Sequence, residues 1–244
     1  MTQDNDIMSN MSQRAVPDWQ GARRPDHAVL AGDYCRLEPL TRAHFPDLFR
    51  AFAADSDGAI WRYLPYGPFA DQAAFARWAD DTCFLADPFF YAIIDRIGGQ
   101  AVGMASYLRI DPKAGSIEVG HINFAPALQR RVAATEAMYL MMRNAFDTLG
   151  YRRYEWKCND ANSRSKAAAS RLGFSAEGVF RQASVNKGLN RDTAWFSIID
   201  SEWPDRRDAF QTWLAADNFD SHGQQKQPLA SLRQQRSGLT RSGR

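Results

Sequence analysis

Arg130 and Arg131 stand at the expected start of a helix. The stretch Ser116–Phe124 (SIEVGHINF) alternates like a strand, a short connection containing Pro126 follows, and apolar residues then recur at helical spacing. A helix N-terminus facing out of a sheet carries free backbone N–H groups and partial positive charge, so this junction suits a phosphate group, and the two arginines add formal charge. Inside the strand, Glu118 shares a pleat face with Gly120 and Ile122. A carboxylate among small and apolar neighbours has a raised pKa and suits proton relay through water. The competing reading is a solvent-facing strand glutamate paired with a lysine or arginine. Farther on, Asn162 is a good N-cap for a second helix that carries Ser165 in its first turn.

The elements that must hold these residues alternate along the chain. Residues 34–40 (YCRLEPL) read as a strand, and Thr41 as the N-cap of a helix over 44–54. Asp71 caps a second helix reaching about Leu85. Strand-like runs at 89–95 and 100–110 flank Gly98-Gly99, a hairpin signal. The clearest helix covers 128–149 and ends at Gly150; a strand (154–158), a helix stopped by Gly173, two strands (174–181 and 193–200) and a last helix (205–214) complete an α/β order. Residues 1–30 are expected to form a flexible arm that drapes over the body or stays mobile, 31–217 the folded domain, and 218–244 a disordered basic tail.

Composition narrows the function. With 30 Lys and Arg against 28 Asp and Glu, the chain has a formal charge of only +2, far from a dedicated nucleic-acid binder. Residues 218–244 hold five of the basic residues and one acid, so the remaining body is slightly acidic, too slightly to choose an acceptor. The 3 cysteines are too widely spaced for a disulfide framework or metal knuckle and are expected to be reduced thiols. The 4 histidines fit no zinc pattern, so no metal is expected, and His121 reads as structural. Gly-x-Ser-x-Gly and Gly-x-x-x-x-Gly-Lys motifs are absent, and so are a signal sequence and an apolar run long enough to span a bilayer. Action in the cytoplasm, without membrane or nucleic acid, is the expectation.

Two strings carry a family resemblance. QRRVAATEA (129–137) resembles the (Arg/Gln)-x-x-Gly-x-(Gly/Ala) pyrophosphate loop of the GNAT acetyltransferases. Asn162-x-x-Ser165, closed by Gly173-Phe174, resembles the helix of their ribosomal-protein N-terminal acetyltransferase branch. The likeness covers roughly residues 32–213. It implies one mixed, mostly antiparallel sheet flanked by helices, acetyl-CoA as co-substrate, and transfer of an acetyl group to a primary amine in a ternary complex. The acceptor it implies is a protein N-terminal α-amine or a small molecule, and a homodimer stays open. A non-catalytic acyl-CoA-binding sensor or scaffold is the alternative.

The resemblance also assigns roles. Gln129, Arg130, Arg131, Val132, Ala133 and Ala134 would hold the pyrophosphate. The main chain of Ile122, Asn123 and Phe124 would hold the pantetheine, the Asn123 side chain serving instead to begin the following turn, and Asn162 would touch the cofactor beside it. Glu118 would be the base, and Ser165 the acid near the sulfur. Val132 departs from the usual glycine, and its β-branch is expected to push the loop or ligand slightly. Apart from the resemblance, Tyr63 and Trp195 are the expected acceptor contacts, with loop packing for Tyr63 and a place on a hairpin for Trp195 as the competing reading.

Overall fold

In β3 (Phe89–Asp95) every residue between the ends is buried, which is why the run FFYAIID shows no polar alternation. Tyr91 and Ile93 join one apolar cluster, and Phe90, Ala92 and Ile94 join another on the opposite face. β3 pairs antiparallel with β2 (Cys35–Pro39) and, across the expected Gly98-Gly99 turn, with β4 (Ala101–Asp111). Adding β1 (Leu30–Ala31), β5 (Ser116–Phe124), β6 (Arg153–Asn159), β7 (Ser175–Asn186) and β8 (Leu189–Ile199) gives one eight-stranded sheet in the order β1-β2-β3-β4-β5-β6-β8-β7. Every pairing is antiparallel except β5 with β6. This computed structural model describes residues 15–242.

Helices cover the two faces unequally. α1 (Phe45–Ala53) and α2 (Gln72–Thr82) pack Phe45, Leu48, Phe52 and Phe75 with Phe90 and Met104, over β3 and β4. Asp71 caps α2 as expected, accepting from Ala74 N–H at 2.7 Å. The other face carries α3 (Val132–Arg143), α4 (Ser163–Leu172), α5 (Trp203–Leu214) and α6 (Leu229–Ser242) against the larger cluster. Along β6, Tyr154, Trp156 and Cys158 point into that cluster. Arg153, Glu155 and Lys157 alternate with them and so take the opposite face, beyond the part of the sheet over which α1 and α2 pack.

The long helix and the C-terminal tail differ from expectation. The long helix starts at Val132, because residues 125–131 form turns with Arg130 at φ +61, and it ends in a π-helical segment, Asn144–Thr148. Tyr107 explains the change: its hydroxyl donates to Met141 O (2.6 Å) and accepts from Asn144 Nδ2 (3.3 Å), inserting a side chain into the helical ladder. The arm drapes over the body where it is described: Trp19 Nε1 donates to Lys113 O (2.7 Å) and Arg23 N–H to Leu149 O (2.8 Å); residues 1–14 lie outside the described residues. The disordered tail is corrected. Residues 218–228 form a hydrogen-bonded connection around the buried Asn218, and α6 follows, with Leu229 and Leu232 buried in the main core and Arg233 donating to Ser170 O. The polar composition hid this because two leucines three apart suffice when neighbouring helices supply the groove.

Candidate active site

β5 and β6 pair only from Ser116–Arg153 to Val119–Trp156, although both strands continue. The separation has a local cause on the other edge of β5. Ser106 of β4 lies opposite Gly120 and Met104 opposite Asn123, so His121 and Ile122 stand against Ala105 alone. This bulge, with His121 at φ +50, bends β5 away from β6 and leaves a wedge between the two strands. Residues 120–124 form one wall, and the end of β6 with Asn162 the other.

On the helical side, α3 begins at the wedge. Arg131 is its N-cap and supplies no side-chain cap, so the N–H groups of Val132 and Ala133 are open to a ligand, while Ala134 N–H donates to Arg131 O at 3.1 Å. Gln129, Arg130 and Arg131 are exposed. Gln129 Nε2 donates to Phe124 O at 2.9 Å and braces the end of β5. Left-handed backbone falls at Arg130, and the half-buried Val132 packs against the core. Across the wedge, Asn162 Oδ1 accepts from Ser165 N–H (3.1 Å), so Asn162 is an N-cap. Ser165 Oγ accepts from Trp156 Nε1 at 3.0 Å and lies beside the Cys158 thiol, leaving the hydroxyl one proton to donate. All three cysteines are buried free thiols, and burial raises that of Cys158.

On the open side of the sheet, Glu118 is 3% exposed and ion-paired to Lys157 Nζ (2.9 Å) and Arg109 (2.7 Å). The two readings of this residue combine: the carboxylate is buried as a base requires, yet its neighbours are cations rather than apolar groups. Burial pushes its pKa up, opposed by Arg109 and Lys157. Lys157 also pairs with Glu155 (2.8 Å) and lies over the Trp195 ring, 3.7 Å from its centroid. Trp195 is thus beside Glu118's partner. Lys157, Glu155 and Arg109 were missed; the alternation of Arg153, Glu155 and Lys157 with apolar residues in RYEWKCN was the available signal.

A roof crosses this face. At the tip of the β7–β8 hairpin, Lys187 Nζ donates to Trp61 O (2.9 Å) and Gly67 O (2.7 Å) of the α1–α2 loop. Tyr63 Oη donates to Ala161 O (3.2 Å), which sets Tyr63 in the roof instead of in the Glu118 cluster. Tyr66 stacks on His121, with 3.0 Å between its hydroxyl and Nδ1. Burial, then the charges of Arg109 and Arg191, hold His121 down to about 4, so it is neutral. Asn123 does not cap the turn toward Pro126, which closes through Ala125 O; it is 1% exposed, and neither atom of its side-chain amide has a partner among the described residues.

A parallel pair of strands splayed by a bulge, with an uncapped helix start beneath, leaves a cleft between the two main chains. The family pattern described as an acetyltransferase (GNAT) domain matches residues 35–175, more than half of the chain. The chain belongs to the GNAT acetyltransferase family. The GNAT structure from Brucella melitensis is 46% identical and superposes with TM-score 0.88, covering 90% of this chain and all of that one. An uncharacterised N-acetyltransferase, p20, of Bacillus licheniformis is 24% identical over 61% of this chain and 84% of its own. At the level of fold, RimL, a ribosomal L7/L12 α-N-protein acetyltransferase solved with coenzyme A, matches with 19% identity and TM-score 0.61 over 71% of this chain and 99% of that one. This GNAT protein is therefore an N-acetyltransferase built on a mixed, mostly antiparallel sheet, and acetyl-CoA is the co-substrate of its family.

Proposed function

We propose that the chain moves the acetyl group of acetyl-CoA to a primary amine by direct attack in a ternary complex. The observation that carries this reading is the wedge between β5 and β6, with an uncapped helix start on one side and the buried Glu118 cluster on the other. In this reading the main chain of Ile122, Asn123 and Phe124 holds the pantetheine arm. The first-turn N–H groups of Val132 and Ala133, with Gln129, Arg130 and Arg131, hold the pyrophosphate, Ala134 supports that turn through its N–H to Arg131 O, and Asn162 lies beside the arm. Acetyl-CoA, when bound, supplies an activated acyl carbon.

The amine needs a neutral nitrogen. Glu118 takes its proton, directly or through water, and Lys157 and Arg109 keep the carboxylate in place. The nitrogen bonds to the acyl carbon as the carbon–sulfur bond breaks, and Ser165 gives the sulfur a proton. Trp195 packs against the acceptor, and Tyr63 closes the roof above it. Substrates meet this site in the cytoplasm.

The test follows free thiol while purified full-length protein is incubated with acetyl-CoA and a panel of peptides and small amines. Amine-dependent thiol release is expected. Coenzyme A binding without turnover of any amine would instead favour the non-catalytic module.

A further inference from the structure

An open cavity of about 820 Å³ lies on the face of the sheet that carries Arg109 and Lys157, the two cations paired to Glu118. Lys157 and Trp195 line it near that carboxylate, and Arg24 and Lys113 line it at the β4–β5 turn. Its volume is in the range of ligand pockets. The acids in its wall are engaged by the protein itself. Asp87 accepts from the main-chain N–H groups of Arg109 (3.0 Å) and Ile110 (2.9 Å), and Asp111 from Ala114 N–H (2.9 Å). Glu155 is shared between Lys157 and Arg153.

The donors are not engaged to the same degree. Neither Arg24 nor Lys113 has an ion-pair partner among the described residues, and Arg109 shares its one carboxylate with Lys157. Trp195 Nε1, a group that can only donate, is buried without an acceptor. Two cations without ion-pair partners among the described residues, Arg24 and Lys113, at one end, and the Glu118 carboxylate behind Lys157 at the other, select a ligand with the opposite arrangement. Such a ligand places its amine at Glu118 and its negative charge toward the β4–β5 turn.

We propose that the acceptor is a carboxylate-bearing amine whose acidic group binds between Arg24 and Lys113. This inference rests on the acetyl-transfer reading and deepens it. Two sources share the chemistry: a free acidic amino acid, and a peptide with acidic residues just after its N-terminal amine.

The test measures both binding and turnover with the full chain. Calorimetry on protein saturated with coenzyme A compares Ser-Asp-Asp-Ala with Ser-Asn-Asn-Ala, and free aspartate with asparagine. The thiol assay repeats both comparisons with acetyl-CoA. Within at least one pair, the acidic member is expected to bind about tenfold more tightly and to lose that advantage at high salt. The pair that shows the effect identifies the source. In a protein carrying Arg24→Gln and Lys113→Gln, the preference should vanish while turnover of the amide counterpart is unchanged. Equal or better binding of the amides in both pairs, or a preference that persists in the double variant, overturns the proposal. Acid-selective binding without turnover would support it and count against the acetyl-transfer reading, so the two failures are distinct.

Discussion

Replacing Glu118 by glutamine lowers kcat by about two to four orders of magnitude, the usual contribution of a positioned general base. The substitution keeps the shape of the side chain and removes its charge. Lys157 retains Glu155 as a partner, and Arg109, with a side chain 60% exposed, turns to water, so the variant should fold and bind coenzyme A as the parent does. The pH profile separates a base from a structural residue. Burial raises the Glu118 pKa, so the parent's kcat/KM should fall on the acid side at a pH above the ordinary carboxylate range. The active form is the ionised one, and the rate therefore rises with pH through that limb. The variant should lack the limb. An unchanged kcat at saturating substrate would remove Glu118 from the role.

A Glu136→Ala variant is expected to lose about 4 kcal/mol of stability, because three N–H groups lose a charged acceptor at once. Glu136 is 3% exposed, on α3, and accepts from the main-chain N–H groups of Asp33 (2.8 Å), Tyr34 (2.7 Å) and Cys35 (2.7 Å). One carboxylate thereby ties the helix that would hold the pyrophosphate to the first turn of the sheet. Gly32 belongs to the same contact: a Cβ there would lie 2.4 Å from the carboxyl carbon of Glu136. For a chain of this size the loss corresponds to a fall in Tm on the order of 10 °C, which a thermal melt reads directly. A melt within about 2 °C of the parent would contradict the assignment.

Local signals in the chain carried much of this fold. Gly98-Gly99 marked the β3–β4 hairpin, Asp71 and Gly173 marked helix ends, and the strings around Gln129 and Asn162 pointed to the family. What escaped was decided by distant partners. Nothing in NFDSHGQQKQPLASLRQQR reveals that a groove waits for Leu229 and Leu232. The helical periodicity through Asn144 continues unbroken in sequence, and only Tyr107, on a strand far upstream, converts its end to a π-helical segment. Glu118 could be read as a strand carboxylate, but its pairing with Lys157 depends on the parallel register that puts Glu118 opposite Glu155. The sequence shows a residue type and not a backbone angle, so the left-handed conformation of Arg130 was not legible in it.

Backbone amide hydrogen exchange with and without coenzyme A tests the central claim most directly. If the thioester arm lies in the wedge and the pyrophosphate at the start of α3, exchange slows at residues 122–124 and 131–134. Protection confined to the open face around Lys113 and Trp195, or no protection at either segment at saturating coenzyme A, would contradict the account.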